Sequence, residues 1–179
     1  MRRAPTLLAA LLLAGCGPAD TAPVEAARPA EAQRVELDWR ERYPPTGAGL
    51  RFSVDELVVR DEGWSAEVGV TNTTGISFEL DPSRHQFGLM LFASGDLGEL
   101  EAASRNGSLP APRLAESMRP GPPKVLGPGE SWRGTISAPG ALADGSFVRV
   151  VFGPFTALGD PPEGMEPVVS WITDRSYRL

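Results

Sequence analysis

Between Leu50 and Phe152 the chain returns again and again to one pattern, apolar and polar residues in alternation followed by a turn. Leu50, Phe52 and Val54 interleave with Arg51, Ser53 and Asp55; Trp64, Ala66, Val68 and Val70 interleave with Ser65, Glu67, Gly69 and Thr71. Period two sends successive side chains to opposite faces of a strand, so one face can be buried while the other stays wet. The alternation breaks at Asp55-Glu56, which predicts a bulge that resets the face before Leu57, Val58 and Val59. Asp61-Glu62-Gly63 reads as a hairpin turn with Gly63 in the left-handed region. No comparable stretch of helical period exists, which argues against βαβ units.

The same reading extends along the chain. Val35, Leu37 and Trp39 predict a short first strand. Ile76, Phe78 and Leu80 predict another, ended by Asp81-Pro82-Ser83. Phe87, Leu89 and Leu91, interleaved with Gly88, Met90 and Phe92, predict a central one. Trp132, Gly134 and Ile136 form a later strand. Phe147 to Phe152 form another, expected to end at Gly153-Pro154, and Val168 to Tyr177 form the last, with Val169, Trp171 and Thr173 on one face. The expected fold is all-β: two antiparallel sheets of seven or eight strands packed as a sandwich over residues 35–179. Trp39, Trp64, Trp132 and Trp171 stand at apolar-face positions and are expected in the core. Residues 94–124 hold the exception. They carry Asn106-Gly107 and several prolines, and they are read as a long loop with one short helical turn around Leu97 to Ser104.

The amino terminus has a different character. Arg2 and Arg3 precede an apolar run from Leu7 to Ala14, which is followed by Gly15 and Cys16. This is the layout of a secretory signal, and the run is far short of the ~20 residues a spanning helix needs. From Gly17 to Arg34 the composition is alanine, proline and small polar residues, with Val24 the one large aliphatic side chain. Such a stretch buries too little apolar surface to offset its ordering entropy, so residues 16–34 are expected to act as a tether.

Leu13-Ala14-Gly15-Cys16 resembles the lipobox of bacterial lipoproteins. That resemblance implies cleavage between Gly15 and Cys16, acylation of Cys16, and anchoring to a membrane of the cell envelope by lipid. Gly17 in place of an aspartate implies, in a two-membrane bacterium, the outer membrane facing the periplasm; in a one-membrane organism the site is the outer face of the plasma membrane. One acyl chain holds only marginally, and two or three hold stably. The chain has 23 acidic and 17 basic residues, for a formal charge of −6, and losing Arg2 and Arg3 makes it more acidic still. Attachment therefore falls to the lipid, and nucleic acid is not an expected partner.

Leu126-Gly-Pro-Gly-Glu-Ser-Trp132-Arg-Gly134-Thr-Ile136 and Phe147-Val-Arg149-Val-Val151-Phe-Gly-Pro154 resemble the late strands of immunoglobulin-like domains in bacterial envelope lipoproteins. The resemblance covers residues 48 to 155 and implies an immunoglobulin-like sandwich without assigning a ligand. Residues 94–124 and the final strand depart from the pattern.

Catalytic chemistry is hard to place. A single histidine, His85, and a single cysteine rule out multi-histidine and multi-thiolate metal sites, and no cofactor is expected. No Gly-x-Ser-x-Gly elbow and no phosphate-binding loop occurs. Asp55, Glu56, Asp61, Glu62 and Asp81 are too sparse for a calcium loop and read as turn acids. Asn72-Thr-Thr74 and Asn106-Gly-Ser108 match a glycosylation sequon and are read as turns. The chain is thus expected to be a non-catalytic binding module, with a protein or envelope polymer as partner. A proteinase inhibitor of immunoglobulin-like fold is the alternative, and a hydrolase ranks last. The binding residues are expected in the 94–124 loop, at Arg105, Asn106, Arg113 and Arg119, because loops on rigid scaffolds carry function.

Overall fold

The computed structural model describes residues 28–80 and 87–179. Gly15, Cys16, Asp81 and His85 lie outside the described residues. Twelve strands and one helix follow in order: β1 (Gln33–Tyr43), β2 (Leu50–Arg60), β3 (Gly63–Asn72), β4 (Ser77–Glu79), β5 (Gly88–Phe92), α1 (Leu97–Asn106), β6 (Arg113–Leu114), β7 (Ser117–Arg119), β8 (Val125–Leu126), β9 (Ser131–Pro139), β10 (Phe147–Leu158), β11 (Val168–Ile172) and β12 (Tyr177–Arg178). The count exceeds the expected seven or eight because several strands are only two or three residues long.

They form two antiparallel sheets. The first runs β1-β2-β3-β9-β7, and the second runs β6-β5-β10-β4-β8, with β11 and β12 also paired to β10. The alternation explains which face turns inward. In the first sheet Phe52 stands opposite Val70, and Val70 opposite Trp132, all buried. In the second, Val148, Val150 and Phe152 of β10 enter the same core. Phe52, Phe87, Phe152 and Phe155 meet at its centre with ring centroids 5.1–6.0 Å apart, in tilted or edge-on pairs that aromatic quadrupoles favour.

The bulge expected at Asp55 is present as a register shift between Val54 and Glu56. A second shift falls in β1 between Glu36 and Trp39, with Asp38 at φ 46°, and it turns Trp39 into the core. Three expectations change. Gly63 is the first residue of β3 and not a left-handed turn residue; a Cβ there would stand 2.6 Å from the Ala138 carbonyl oxygen. Gly153-Pro154 does not end its strand. β10 continues to Leu158 because Gly153, at φ 116°, absorbs a register shift against β11. Residues 28–30, placed in the tether by composition, pack on the domain: Ala30 is buried, its N–H donates to the Leu142 carbonyl (2.8 Å), and Asp144 N–H donates to the Arg28 carbonyl (2.8 Å).

The crossover from the first sheet to the second is built on Asn72, which is fully buried. Its Nδ2 donates to the carbonyls of Ile76 (2.7 Å), Leu126 (3.1 Å) and Gly127 (3.0 Å), and its Oδ1 accepts from the Thr74 N–H and hydroxyl. The first sequon is therefore a structural turn with no free amide.

Candidate functional site

About half of the segment 94–124 is helix or strand. α1 begins at an Asp96 cap whose carboxylate accepts from the Glu99 N–H (3.0 Å), and it ends at Gly107 in the left-handed region. The single helical turn expected there is a ten-residue helix. β6 and β7 then attach the rest of the segment to opposite sheets, β6 to β5 and β7 to β9.

This disperses the four expected binding residues. Arg105 lies in the last turn of α1, and its Nε donates to the Glu101 carbonyl (3.3 Å). Asn106 caps the turn after the helix by accepting from the Ser108 N–H (3.2 Å) and hydroxyl (2.6 Å). Arg113 donates to the Ala141 carbonyl (2.8 Å) from the edge of the second sheet. Arg119 is exposed at the edge of the first. β6 and β7 carry Arg113 and Arg119 to different sheets.

Arg105 does belong to a concave site. Between α1 and β11 lies a groove of about 370 Å³, floored by Trp171 and Ile172 and walled by Leu97, Glu101, Arg105 and Asp174. Leu97 is 40% exposed, which leaves an apolar lip on the helix.

Two charged side chains fix this groove in place. Arg149, in the middle of the valine-rich β10, is fully buried. Its Nη1 donates to the carbonyls of Thr173 (2.8 Å) and Asp174, and its Nη2 to those of Gly95 (2.9 Å) and Asp96 (3.2 Å). Its guanidinium stands 5.5 Å from the Phe92 ring centre. One buried cation thereby ties the start of α1 to the β11–β12 turn. Burial pulls its pKa down from the usual arginine value, while Asp174, Glu41 and Asp96 hold it up. Glu41, on the core-facing side of β1, accepts from the Trp171 indole (2.8 Å) and from the N–H groups of Asp174 (2.9 Å) and Arg175 (3.0 Å). Burial, followed by the negative charge of Glu41, raises the Asp174 carboxyl above the usual aspartate range, and Arg149 opposes the rise.

No family model, curated protein or solved structure matches this chain.

Three of the four tryptophans are in the core as expected. Trp171 is only half-buried: one face stacks on Phe52 at 5.6 Å and 3°, and its edge reaches the groove. Among the described residues, no group of three histidine, cysteine, aspartate or glutamate side chains could hold a metal ion, and no helix is long and apolar enough to cross a membrane. Asp55 is occupied by Arg40 at 2.6 Å and Arg133 at 3.5 Å.

Sequence reasoning missed Glu41, Arg149 and Trp171 as a unit. Two signals were available. Glu41 alternates in phase with Trp39 and Tyr43, which puts a carboxylate on a core-facing row, and Arg149 interrupts a run of valines.

Proposed function

We propose that this chain is an exported, lipid-anchored binding domain of the bacterial envelope, held through Cys16, that engages a protein partner in the groove between α1 and β11. The observation that carries the reading is the pinned helix. Arg149 fixes α1 against the sheet, so the groove has a preorganised aromatic floor, an exposed leucine at its lip and charges of both signs on its rim. Preorganisation lowers the ordering cost of association. Tryptophan and arginine are also the side chains that dominate interface energetics. The immunoglobulin-like type belongs to the same proposal, supported by two antiparallel sheets whose strands β3–β4 and β8–β9 cross between them.

Site-specific photocrosslinking in intact cells tests the groove. A benzophenone at Leu97 should give a discrete protein adduct, while one at Gly75, where a side chain meets open space, should not. Equal labelling from both positions, or an adduct unchanged by Trp171→Ser, would remove the groove from the reading. Anchoring is tested separately. Cys16→Ser should move the chain from the membrane fraction to the soluble fraction, and retention in the membrane fraction would rule out the lipid.

A further inference from the structure

The outer face of the first sheet carries a charge pattern that neither the core nor the α1–β11 groove uses. Cross-strand partners share a face. The register therefore lays one row across the sheet through Arg42, Arg51 and Thr71, and the adjacent row from Arg40 through Ser53 and Gly69 to Arg133. Small residues in the middle and arginines around them leave a depression of about 410 Å³. Glu41 contributes backbone here, because its carboxylate points through to Trp171.

The arginines are unequally compensated. Asp55 pairs with Arg40 (2.6 Å) and Arg133 (3.5 Å). Arg42 and Arg51 stand directly opposite each other, and among the described residues neither meets a carboxylate. Like charges in that position destabilise a sheet, so the fold bears a cost. The Arg42 guanidinium is held by donation to the Gly47 carbonyl, yet its Nε is buried without a hydrogen-bond partner. The Ser53 hydroxyl belongs to the lining of the depression, between the two arginine rows.

We propose that this depression binds a phosphate group, with Arg42 and Arg51 as its principal ligands. A phosphate carries close to two negative charges and three strong acceptor oxygens, enough to meet two guanidiniums and a hydroxyl together. Bound phosphate relieves the Arg42–Arg51 repulsion and accepts from the guanidinium Nη groups and from the Ser53 hydroxyl. A free phosphorylated solute and a phospholipid headgroup share this chemistry of recognition.

Calorimetric titration of the purified chain with inorganic phosphate at low salt tests this. Saturable binding is expected, and Arg51→Gln should weaken it about tenfold or more, the effect of losing a charge-assisted pair. The unliganded variant should melt no lower than the parent, because a like-charge contact has gone. That readout separates a ligand site from a structural role. Absence of saturable binding, unchanged affinity in Arg51→Gln, or an equal loss in the remote Arg60→Gln would each overturn the proposal. Competition identifies the source: displacement of phosphate by phosphatidylglycerol vesicles but not by phosphatidylcholine vesicles assigns a headgroup, and no displacement by either assigns a soluble phosphorylated ligand.

Discussion

Glu41 and Trp171 are 130 positions apart and on different sheets, yet the carboxylate Oε2 lies 2.8 Å from the indole Nε1. The same oxygen accepts from the Asp174 N–H, and Oε1 accepts from that of Arg175. One charged acceptor thus joins the edge strand of the first sheet to the β11–β12 turn of the second. It also fixes the ring that floors the groove.

Removing that acceptor should open the seam. Glu41→Ala leaves three donors without their partner, and hydrogen bonds to charged groups contribute about 1.5–3 kcal/mol each before solvent replaces some of them. We expect a loss of about 2–4 kcal/mol in urea unfolding, with a red shift of tryptophan emission as Trp171 loosens. Glu41→Gln keeps one acceptor oxygen and should fall between the two. An unchanged midpoint in Glu41→Ala would show that the seam is held by the Phe52–Trp171 stack alone.

Arg149 makes a stronger demand. Arg149→Leu removes four hydrogen bonds beneath α1 and leaves the Thr173 and Asp174 carbonyls without a side-chain donor, and since each buried polar group left unsatisfied costs about 1–3 kcal/mol, we expect a loss of about 3–5 kcal/mol. Arg149→Lys keeps the charge but loses the fork, so it should recover little. Hydrogen exchange gives the local signature: the amides of 97–106 should lose protection before those of β2 and β3 do. Uniform loss across the domain would mean that Arg149 supports the whole sandwich and not the helix in particular.

Asp174 gives a pH test. Burial and the Glu41 charge raise its carboxyl above the usual aspartate range, so the folded state holds its proton more tightly than the unfolded chain does. The stability this contributes is complete below the unfolded pKa of about 3.9 and is lost as pH rises through the raised folded value. Asp174→Asn mimics the protonated form and should therefore melt higher than the parent at neutral pH, with the gap closing as pH falls toward 4. The Asp174 carbonyl that Arg149 uses is unaffected by the substitution. A variant that melts lower at neutral pH would show that attraction to Arg149 outweighs burial.

How much of this was legible follows from what each signal encodes. Alternation reports burial of a face, and it located β2, β3 and β9, whereas most of β10 was found as a continuous apolar run because that strand is buried on both faces. It also placed the bulge at Asp55, where two acids interrupt the phase. It could not carry β10 past Gly153-Pro154, because a glycine at positive φ and a proline look the same whether they end a strand or bend it. The sandwich class was readable, whereas the pairing of β6 and β7 with opposite sheets was not, since strands of two or three residues have no period. The site was harder. Arg105 was selected because it lay in a proline-rich segment, and it does reach the groove. Arg113 and Arg119 were selected on the same ground and are separated by the sheet edges they join. Glu41 and Arg149 stand inside apolar patterns, where a lone charge reads as noise until its partners are known.

Trp132 tests the core itself. The ring is 5% exposed, meets Phe87 edge-on at 5.4 Å, and its indole N–H donates to the Pro120 carbonyl at 3.1 Å. Gly134 lies beneath it; a Cβ there would stand 2.7 Å from the indole Cζ2, so the pocket is closed around the ring. Trp132→Ala should cost about 3–5 kcal/mol, the range for deleting a large aromatic side chain from a core. Trp132→Phe retains most of the packing but frees the Pro120 carbonyl, so it should cost about 1–3 kcal/mol. In that variant the loss of hydrogen-exchange protection should centre on 117–120, the segment that the indole ties to β9. Equal costs for the two variants would place the stabilisation in the hydrogen bond and leave the ring volume contributing little.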